Sequence, residues 1–394
     1  MSRTLQRRAE PGVLFVQRWL RGDEGIVTYM RYLSRGLVAR GWRVGLALGP
    51  GRPGDTHEQA MTWLEDVRGA RFTVDFPARA TPTGVARSAR SLLQAADEFG
   101  ADVLHVGSLS VLPACHWVRL RRGTPVVATR HASRGRSARG LSRLVKAYGP
   151  LLGDRHIAVS SEVRAQIVEG FGVAPSRVRT VYYGIDTEHF RSPTSAERAD
   201  ARGALGLGPD EFAVALVGRL EIGMKRQDLL VEAVAALRAR DVPAVALLAG
   251  AGEGADELET QAARLGVGPH VRSLGFRPPR GVYWAADVFA LPSRGEGLPL
   301  TVNEAMSTGL TPIRAVDSGV YDQIEDSVSG FIVPYDDAQA LTDRLDVLFR
   351  EPERRRRMAE AARARALERF TVERMVAQTV AVYEEVAGRG RMAA

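Results

Sequence analysis

The chain has 394 residues, of which 45% are hydrophobic and 25% are charged, and its formal net charge is +8. This length and composition indicate a globular protein with two domains of ordinary size. No apolar run approaches the roughly 18 residues of a membrane-spanning helix, and no uncharged apolar segment follows the polar first ten residues, so we expect neither a membrane span nor a signal peptide. Cys115 is the only cysteine, which excludes an internal disulfide and a cysteine-based metal cluster and makes the cytoplasm the simplest location.

The basic residues are nearly all arginine. Only Lys146 and Lys225 among the 54 basic residues are lysine, a bias that indicates a GC-rich genome and draws attention to Lys225. The arginine-rich surface predicts a weak preference for anions. No recognised nucleic-acid motif accompanies it, so nucleic acid is not an expected partner.

Strand-like and helical patterns alternate along the first half of the chain. The helical pattern of residues 25–40 ends at Gly41, a residue type that often terminates helices. Residues 158–162 have the pattern of a strand that passes into a capped helix. Short apolar runs predict strands at residues 13–16, 44–48, 103–106 and 126–129.

The alternation resumes after a break. Residues 184–210 are rich in Gly, Pro, Ser and Asp and are predicted to form a loop. Helices are predicted at residues 227–240 and around Glu304, and the arginine run at 354–357 is predicted to lie on a solvated helix. Strands are predicted at residues 212–217, 245–248 and 288–291.

This βαβα rhythm predicts two doubly wound, Rossmann-like α/β domains, with ligands at the C-terminal ends of the strands. We place the first domain at residues 1–190 and the second at residues 191–371. Residues 372–394 are predicted to be a helix whose apolar face suits packing back towards the first domain.

Two cations follow the strand predicted at 212–217. Gly218 and Arg219 end this strand, and Lys225 lies six positions after Arg219 in the same loop. Arginine offers a planar fork and lysine a compact charge, so the pair suits a diphosphate. The alternative is a pair of solvated loop cations.

Two carboxylates flank a Gly-Leu-Pro turn. Glu296 is predicted in a loop and Glu304, eight positions later, in the following helix, whose free N–H groups and dipole favour an anion. Pro299 suits the first turn of that helix. Carboxylates accept hydrogen bonds from sugar or ribose hydroxyls, although both positions are also compatible with ordinary surface carboxylates.

His131 follows the strand predicted at 126–129, at the sheet edge where a ligand would lie. We therefore expect a functional histidine there, although a lone histidine is more often structural. The other six histidines lack the spacing of metal ligands, so no metal site is predicted.

Together these residues resemble a known enzyme family. The resemblance to the retaining family 4 glycosyltransferases (GT4), which have the GT-B fold, covers nearly the whole chain and is strongest from residue 158 to 335. It implies two domains facing across a cleft, the first binding the acceptor and the second the nucleotide sugar. The residues that carry it are His131, the turn Gly184-Ile185-Asp186 with Phe190, Arg219 with Lys225, and Glu296 with Glu304.

The resemblance also implies a donor-binding role for particular residues. Arg219 and Lys225 would neutralise the donor diphosphate, while Gly25 and Gly218 would lie in loops close to it. Glu304 would hold the nucleotide ribose.

The same resemblance assigns the reacting centre. Glu296 would hold the donor sugar, together with the backbone of Gly297, Leu298 and Pro299. His131 would contact the sugar and the acceptor, so His131 and Glu296 are the predicted catalytic residues.

Three positions depart from the family's pattern. Glu24 replaces the first of two adjacent glycines, of which Gly25 fits the second, and a carboxylate is unexpected near a diphosphate. Trp42 replaces a usual histidine, and Tyr183 replaces a usual asparagine.

The implied reaction is metal-independent transfer of a sugar from a nucleotide-diphosphate sugar to an acceptor hydroxyl, with retention of the anomeric configuration. UDP is the family's commonest nucleotide, so UDP-glucose or UDP-N-acetylglucosamine is the favoured donor, and no further cofactor is expected. The segments at 312–314 and 322–324 resemble those of antibiotic and aminocyclitol glycosyltransferases, which favours a small secondary-metabolite acceptor.

Several alternatives stay open. The acceptor could instead be a phospholipid or an inositol phosphate, because the arginines of residues 130–143 suit an anionic acceptor or a membrane surface. That run is equally compatible with a solvated helix, and membrane contact is not favoured. A nucleotide-sugar epimerase and a non-catalytic polyanion-binding protein are the alternatives of other classes. The sequence gives no indication of the oligomeric state.

Overall fold

The computed structural model describes residues 10–20, 25–50, 57–76, 82–131 and 153–392. Glu24, Lys146 and the arginines of the 130–143 run beyond Arg130 lie outside these residues. The described residues form two parallel sheets packed with helices. The prediction of two doubly wound, Rossmann-like α/β domains is confirmed.

The first sheet consists of seven parallel strands, β1 (Gly12–Gln17), β2 (Arg43–Leu48), β3 (Ala70–Thr73), β4 (Val103–Val106), β5 (Val126–Arg130), β6 (Arg155–Ala158) and β7 (Val178–Thr180). Their spatial order is β3-β2-β1-β4-β5-β6-β7, so the order reverses between β1 and β4. Val13 and Phe15 of β1 join one apolar cluster and Leu14 and Val16 join another. Because both faces of the sheet are buried, its strands are continuous apolar runs.

The second sheet consists of six parallel strands, β8 (Phe212–Val217), β9 (Ala244–Ala249), β10 (Val271–Ser273), β11 (Val288–Leu291), β12 (Thr311–Ala315) and β13 (Phe331–Val333). Their order is β10-β9-β8-β11-β12-β13, with the reversal between β8 and β11. In each sheet the crevice at the reversal, outside the carboxyl ends of the strands, is the expected ligand position.

The helices of the first domain alternate with the strands of the first sheet. Ser160 caps one of them, since its hydroxyl accepts a hydrogen bond from Val163 N at 3.2 Å, which confirms the capped helix predicted there. A π-helical turn, Gln166–Gly170, follows it, and 3₁₀ turns lie at Leu109–Val111 and Pro175–Arg177. The α-helices are α1 (Gly25–Val38), α2 (His57–Asp66), α3 (Pro82–Phe99), α4 (Leu112–Arg122) and α5 (Ser161–Ala165).

The helices between residues 195 and 369 surround the second sheet, and a further helix follows them. A 3₁₀ turn lies at Gly268–His270. The α-helices are α6 (Ser195–Ala204), α7 (Ile222–Lys225), α8 (Gln227–Arg238), α9 (Ala255–Arg264), α10 (Pro279–Ala285), α11 (Leu300–Ser307), α12 (Val320–Gln323), α13 (Ala338–Arg350), α14 (Pro352–Arg369) and α15 (Val372–Met392). None of the helices in the described part of the chain is long and apolar enough to cross a membrane.

The prediction that residues 184–210 form a loop is wrong in part, because α6 lies within them. Thr194 Oγ1 accepts from Glu197 N at 3.2 Å, and the Glu197 carboxylate accepts from Thr194 N at 2.8 Å. This reciprocal capping box starts a helix despite the nearby glycines and prolines.

The prediction of a solvated arginine run at 354–357 is also wrong in part, because Arg354 and Arg355 are half-buried, and the guanidinium of Arg354 lies over the ring of Phe331. Arg355 donates a hydrogen bond to Leu348 O at 2.8 Å, and its guanidinium lies over the ring of Phe212, 5.4 Å from the centroid. Arg356 and Arg357 are exposed on α14. Arg355 is therefore part of the packing between α14 and the second sheet.

The chain passes between the two domains twice, and the two crossings touch. Ile185 N donates to Phe370 O at 2.8 Å, and Val372 N donates to Ile185 O at 3.3 Å. Gly184 lies so close to the backbone of Thr371 that a Cβ there would overlap it. Two adjacent crossings are the usual arrangement of a hinge between domains.

The last helix, α15, contacts the first domain. The hydroxyl of Tyr383 is hydrogen-bonded to Nδ1 of His105, which lies on β4. Arg155 Nε of β6 donates to Glu385 Oε2 at 3.1 Å. The proposed domain limits at residues 190 and 371 stay a prediction.

Candidate functional site

The N-termini of two helices meet across the cleft between the domains. Helix α1 follows β1 and begins at Gly25, whereas α11 begins at Leu300, shortly after β11. A Cβ built on Gly25 would lie 3.7 Å from Leu300 Cδ1. Both helices therefore direct their positive ends to the same region, which suits an anionic ligand.

The ion pair between Lys225 and Glu296 is the centre of this region. Lys225 Nζ lies 2.5 Å from Glu296 Oε1. The two side chains retain only 17% and 10% of their exposure. In such a partly desolvated place, loss of either partner would leave the other charge without compensation. The structure thus brings together Lys225, which is predicted to bind the diphosphate, and Glu296, which is predicted to bind the sugar.

Neighbouring segments hold the turn that carries Glu296. Arg294 N donates to Met224 O at 2.7 Å, which ties this turn to α7. Lys225 is the last residue of this short helix, so the prediction that it lies in a loop is wrong. Glu296 N donates to Asp317 Oδ2 at 2.5 Å. Gly297 O packs so tightly on Gly319 that a Cβ at Gly319 would overlap it. Contacts on both sides therefore fix the Glu296 backbone.

A buried arginine lies beneath this turn. Arg314 is 1% exposed, and it donates to Gln323 Oε1 at 2.5 Å and to Ser318 O at 3.3 Å. Burial lowers the pKa of Arg314 to about 10, while the charges of Glu296 and Asp317 oppose this change. Arg314 stays positively charged at neutral pH and contributes a fixed cation below the turn.

Glu304 is buried in the second turn of α11. Its Oε2 accepts a hydrogen bond from Tyr283 OH at 2.8 Å. Desolvation raises the pKa of Glu304 to about 7, although this hydrogen bond and the charge of Arg31 act in the opposite direction. The carboxyl group therefore titrates near neutral pH.

His131 lies at the carboxyl end of β5 within an aromatic group of the first domain. Its Nδ1 is 2.5 Å from Tyr183 OH, and the two rings are stacked with centroids 5.9 Å apart. Tyr183 O accepts a hydrogen bond from Asn303 Nδ2 at 3.2 Å. Because Asn303 precedes Glu304 on α11, His131 is connected to α11 through Tyr183.

Gly218 and Arg219 occupy the end of β8, as predicted. Gly218 N donates to Ala249 O at 2.9 Å, and Arg219 O accepts from Gln227 Nε2 at 2.7 Å. These backbone contacts hold the start of the loop that leads to Lys225. Leu298 is 2% exposed, and Pro299 is the N-cap of α11 rather than a residue of its first turn.

Several contributors escape prediction from the sequence. Asp317 and Arg314 support the Glu296 turn, and Tyr183 contacts His131. Arg314 is unusual as a charged residue within the apolar strand β12, and Tyr183 is unusual because it departs from the family's asparagine. Asp317 has no such signal. In none of these cases does the residue type reveal its partner.

Asp322 joins the two domains directly. Its Oδ2 accepts from Ser161 N at 2.7 Å and from Ser161 Oγ at 2.8 Å, and its Oδ1 accepts from Tyr182 OH at 2.8 Å. Ser160 and Ser318 meet beside it, with their hydroxyl oxygens 3.2 Å apart. Asp322, Ser161 and Tyr182 form an interdomain clasp. Among the described residues, no three histidine, cysteine or acidic side chains are grouped as metal ligands.

Two family sequence models match the chain. One, described as Glycosyltransferase Family 4, matches residues 24–189. The other, described as Glycosyl transferases group 1, matches residues 197–365. Each model thus covers most of one domain.

Curated relatives match across both domains. A D-inositol 3-phosphate glycosyltransferase of Frankia alni is 32% identical over 68% of this chain and 74% of its own length. This chain belongs to glycosyltransferase family 4. A protein of the same name from Saccharomonospora viridis is 36% identical over 58% of this chain, a match that spans 55% of that relative. The chain spans about half the length of several such relatives.

Solved structures establish the fold of this family 4 glycosyltransferase. A glycosyltransferase from Rickettsia africae is 17% identical, with a TM-score of 0.84 over 96% of this chain and 99% of that one. The Anabaena protein HepE in complex with UDP is 20% identical, with a TM-score of 0.82 over 95% of this chain and all of that one. The predicted GT-B fold is confirmed.

Proposed function

We propose that this family 4 glycosyltransferase transfers a sugar from a UDP-sugar to a hydroxyl of a cyclitol, with retention of the anomeric configuration. Residues 1–190 would bind the acceptor, and residues 191–371 would bind the nucleotide sugar. The donor-binding residues would be Gly25, Gly218, Arg219, Lys225, Gly297, Leu298, Pro299 and Glu304.

The contact between Lys225 and Glu296 is the observation that carries this proposal. A diphosphate oxygen beside Lys225 Nζ would lie next to the N-terminus of α11, where backbone N–H groups and the helix dipole favour an anion. Glu296 accepts from Lys225 through Oε1, which leaves its other oxygen for a sugar hydroxyl. Lys225 would therefore contact the leaving diphosphate while its ion-pair partner Glu296 contacts the sugar.

The chemistry is a substitution at the anomeric carbon. The bond from C1 to the phosphate oxygen breaks, and the acceptor oxygen forms a new bond to C1 on the same face. The acceptor proton goes to the departing phosphate oxygen. Arg219, Lys225 and the start of α11 stabilise the negative charge that develops on the diphosphate, without a metal.

The donor and acceptor classes are supported by the named relatives. HepE has been solved with UDP and with UDP-glucose, which favours a uridine nucleotide. The Frankia alni and Saccharomonospora viridis relatives are named for inositol 3-phosphate, which favours a phosphorylated cyclitol over an aminocyclitol. Both acceptor types present a ring of hydroxyls to the first domain.

A transfer assay tests the proposal. The protein is incubated with UDP-glucose or UDP-N-acetylglucosamine and with an inositol phosphate or an aminocyclitol, with and without EDTA. We expect EDTA-insensitive UDP release that needs one acceptor, and an NMR coupling constant that reports the donor's own anomeric configuration. An inverted product contradicts retention, and turnover without any acceptor favours an epimerase or hydrolase.

Lys225→Ala tests the donor site itself. Loss of one charged hydrogen-bond donor costs about 1.5–3 kcal/mol, so UDP affinity measured by calorimetry should fall roughly 10- to 100-fold. Arg356→Ala is the matched control, because it removes one positive charge from an exposed position on α14. Equal UDP affinity in parent and Lys225→Ala, with both proteins folded, would show that the donor site lies elsewhere.

A further inference from the structure

The two nitrogens of His131 have different surroundings. Nδ1 is hydrogen-bonded to Tyr183 OH at 2.5 Å. Nε2 is buried and has no hydrogen-bond partner in the described part of the protein. A buried ring nitrogen without a partner is costly unless a ligand satisfies it. Nε2 is therefore the atom that His131 has available for a substrate.

Packing determines the direction in which the ring of His131 faces. The ring of Tyr183 is stacked on it at an interplanar angle of 25°. The ring of Tyr29 contacts it edge-on, with centroids 5.4 Å apart and an angle of 68°. Two aromatic neighbours and one hydrogen bond leave the imidazole little rotational freedom.

The protonation states of both partners follow from their burial. Desolvation lowers the pKa of His131 to about 4, so the imidazole is neutral at neutral pH and carries one proton. Desolvation raises the pKa of Tyr183 well above its usual value, so its hydroxyl keeps its proton. Among the described residues, His131 Nδ1 is the acceptor that the structure gives this hydroxyl.

We propose that Tyr183 is a positioning residue that donates its hydroxyl proton to a hydrogen bond with His131 Nδ1 and so places the imidazole proton on Nε2. This inference rests on the proposed function and on the role that the family resemblance implies for His131, which is contact with the sugar and the acceptor. His131 then acts as a neutral hydrogen-bond donor, not as a general base. The acceptor proton correspondingly goes to the leaving phosphate, not to His131.

The backbone of Tyr183 extends this arrangement to the second domain. Asn303 Nδ2 donates to Tyr183 O at 3.2 Å, and Gln323 Nε2 donates to Asn303 Oδ1 at 2.5 Å and to Pro299 O at 3.0 Å. Asn303 and Gln323 are both fully buried. The position of Tyr183, and through it that of His131, is thus linked to the start of α11, where the donor would bind.

Histidine NMR tests the tautomer directly in the parent protein. Two-bond ¹H–¹⁵N correlations of ¹⁵N-histidine-labelled protein distinguish the two neutral tautomers, and a His131→Gln variant assigns the signals. We expect the Nε2–H pattern for His131 from pH 6 to 8. An Nδ1–H pattern would overturn the proposal. This outcome does not depend on any assay of sugar transfer, so it is separable from failure of the proposed function.

Tyr183→Phe tests the consequence, with Tyr383→Phe as the matched control. Tyr383, on α15, makes the same kind of hydrogen bond through its hydroxyl to Nδ1 of His105, which like His131 lies in the first domain. Tyr183→Phe should give mixed His131 tautomers and a kcat about tenfold lower, with unchanged UDP affinity. Tyr383→Phe should alter only the His105 signals and leave kcat unchanged. A Tyr183→Phe protein that keeps the Nε2–H pattern and full kcat would overturn the proposal.

Discussion

The side chain of Glu304 has an unusual environment for a carboxylate. It is 6% exposed, and its described hydrogen bond comes from Tyr283 OH at 2.8 Å. One neutral hydroxyl compensates poorly for the water that an ionised carboxylate loses, so desolvation dominates and the pKa rises to about 7. A ribose hydroxyl would supply a further hydrogen bond and favour the ionised form.

Glu304 should therefore make folding stability depend on pH. Because its pKa is raised on folding, the folded protein binds more protons than the unfolded chain between about pH 4.5 and 7. The contribution to the free energy of unfolding is fully present below this window and is lost as pH rises through 7. Relative to the parent, Glu304→Gln should gain up to about 3 kcal/mol between pH 5 and pH 8.

Denaturant unfolding at several pH values measures this difference. Glu257→Gln, at an exposed position on α9, is the control and should follow the parent at every pH. If the unfolding free energies of Glu304→Gln and the parent run parallel from pH 5 to 8, Glu304 does not titrate as described.

The sequence allowed individual functional residues to be predicted, but it did not allow the contacts between them to be predicted. The rarity of lysine singled out Lys225, and the position after a strand singled out His131. The 2.5 Å contact between Lys225 and Glu296 joins residues 71 positions apart, and nothing in the local pattern of either specifies it. This long-range contact depends on how α7 packs against the turn that carries Glu296, and single-residue propensities do not encode that packing.

At the scale of elements, regular segments were predicted more closely than irregular ones. The strand at 212–217 coincides with β8 because its uniformly apolar run is long and buried on both faces. Helix α6 was missed because glycine and proline in the flanks outweighed the Thr194 and Glu197 capping signal. Its few apolar residues give it no buried face, so the pattern that identifies most helices is weak there.

The loop between β12 and α12 should support, through Gly319, the turn that carries Glu296. This residue has φ +71°, and a Cβ on it would overlap Gly297 O. Gly319→Ala should therefore displace the Glu296 turn, cost about 1–3 kcal/mol in stability, and weaken UDP-sugar binding measured by calorimetry.

Gly281→Ala is the matched control for this substitution. Gly281 lies within α10, where an added Cβ meets open space, and alanine favours a helix over glycine by about 0.5–1 kcal/mol. It should leave UDP-sugar binding unchanged. If Gly319→Ala and Gly281→Ala bind UDP-sugar with equal affinity, the observed position of the Gly297 carbonyl is not required for UDP-sugar binding.

At the scale of the whole molecule, the order of elements predicted two domains and the family resemblance implied a cleft, but neither indicated how the domains touch. The two crossings at Ile185 and Thr371 lie side by side. The clasp of Asp322 with Ser161 and Tyr182 links the domains a second time. Sequence patterning specifies which faces are buried within each domain, whereas this clasp consists of a few polar groups with no periodicity.

The clasp should control how far the cleft opens. Asp322→Ala removes three hydrogen bonds to a carboxylate, each worth about 1.5–3 kcal/mol, while the hinge at Ile185 stays intact, so the domains should separate more. Small-angle X-ray scattering should then give a larger radius of gyration than the parent has, and UDP-sugar should reduce it. Asp343→Asn is the control, because Asp343 bonds Arg240 and Gln339 within the second domain. If Asp322→Ala and Asp343→Asn give the same radius of gyration, the hinge and α15 hold the domains in their observed arrangement without a contribution from Asp322.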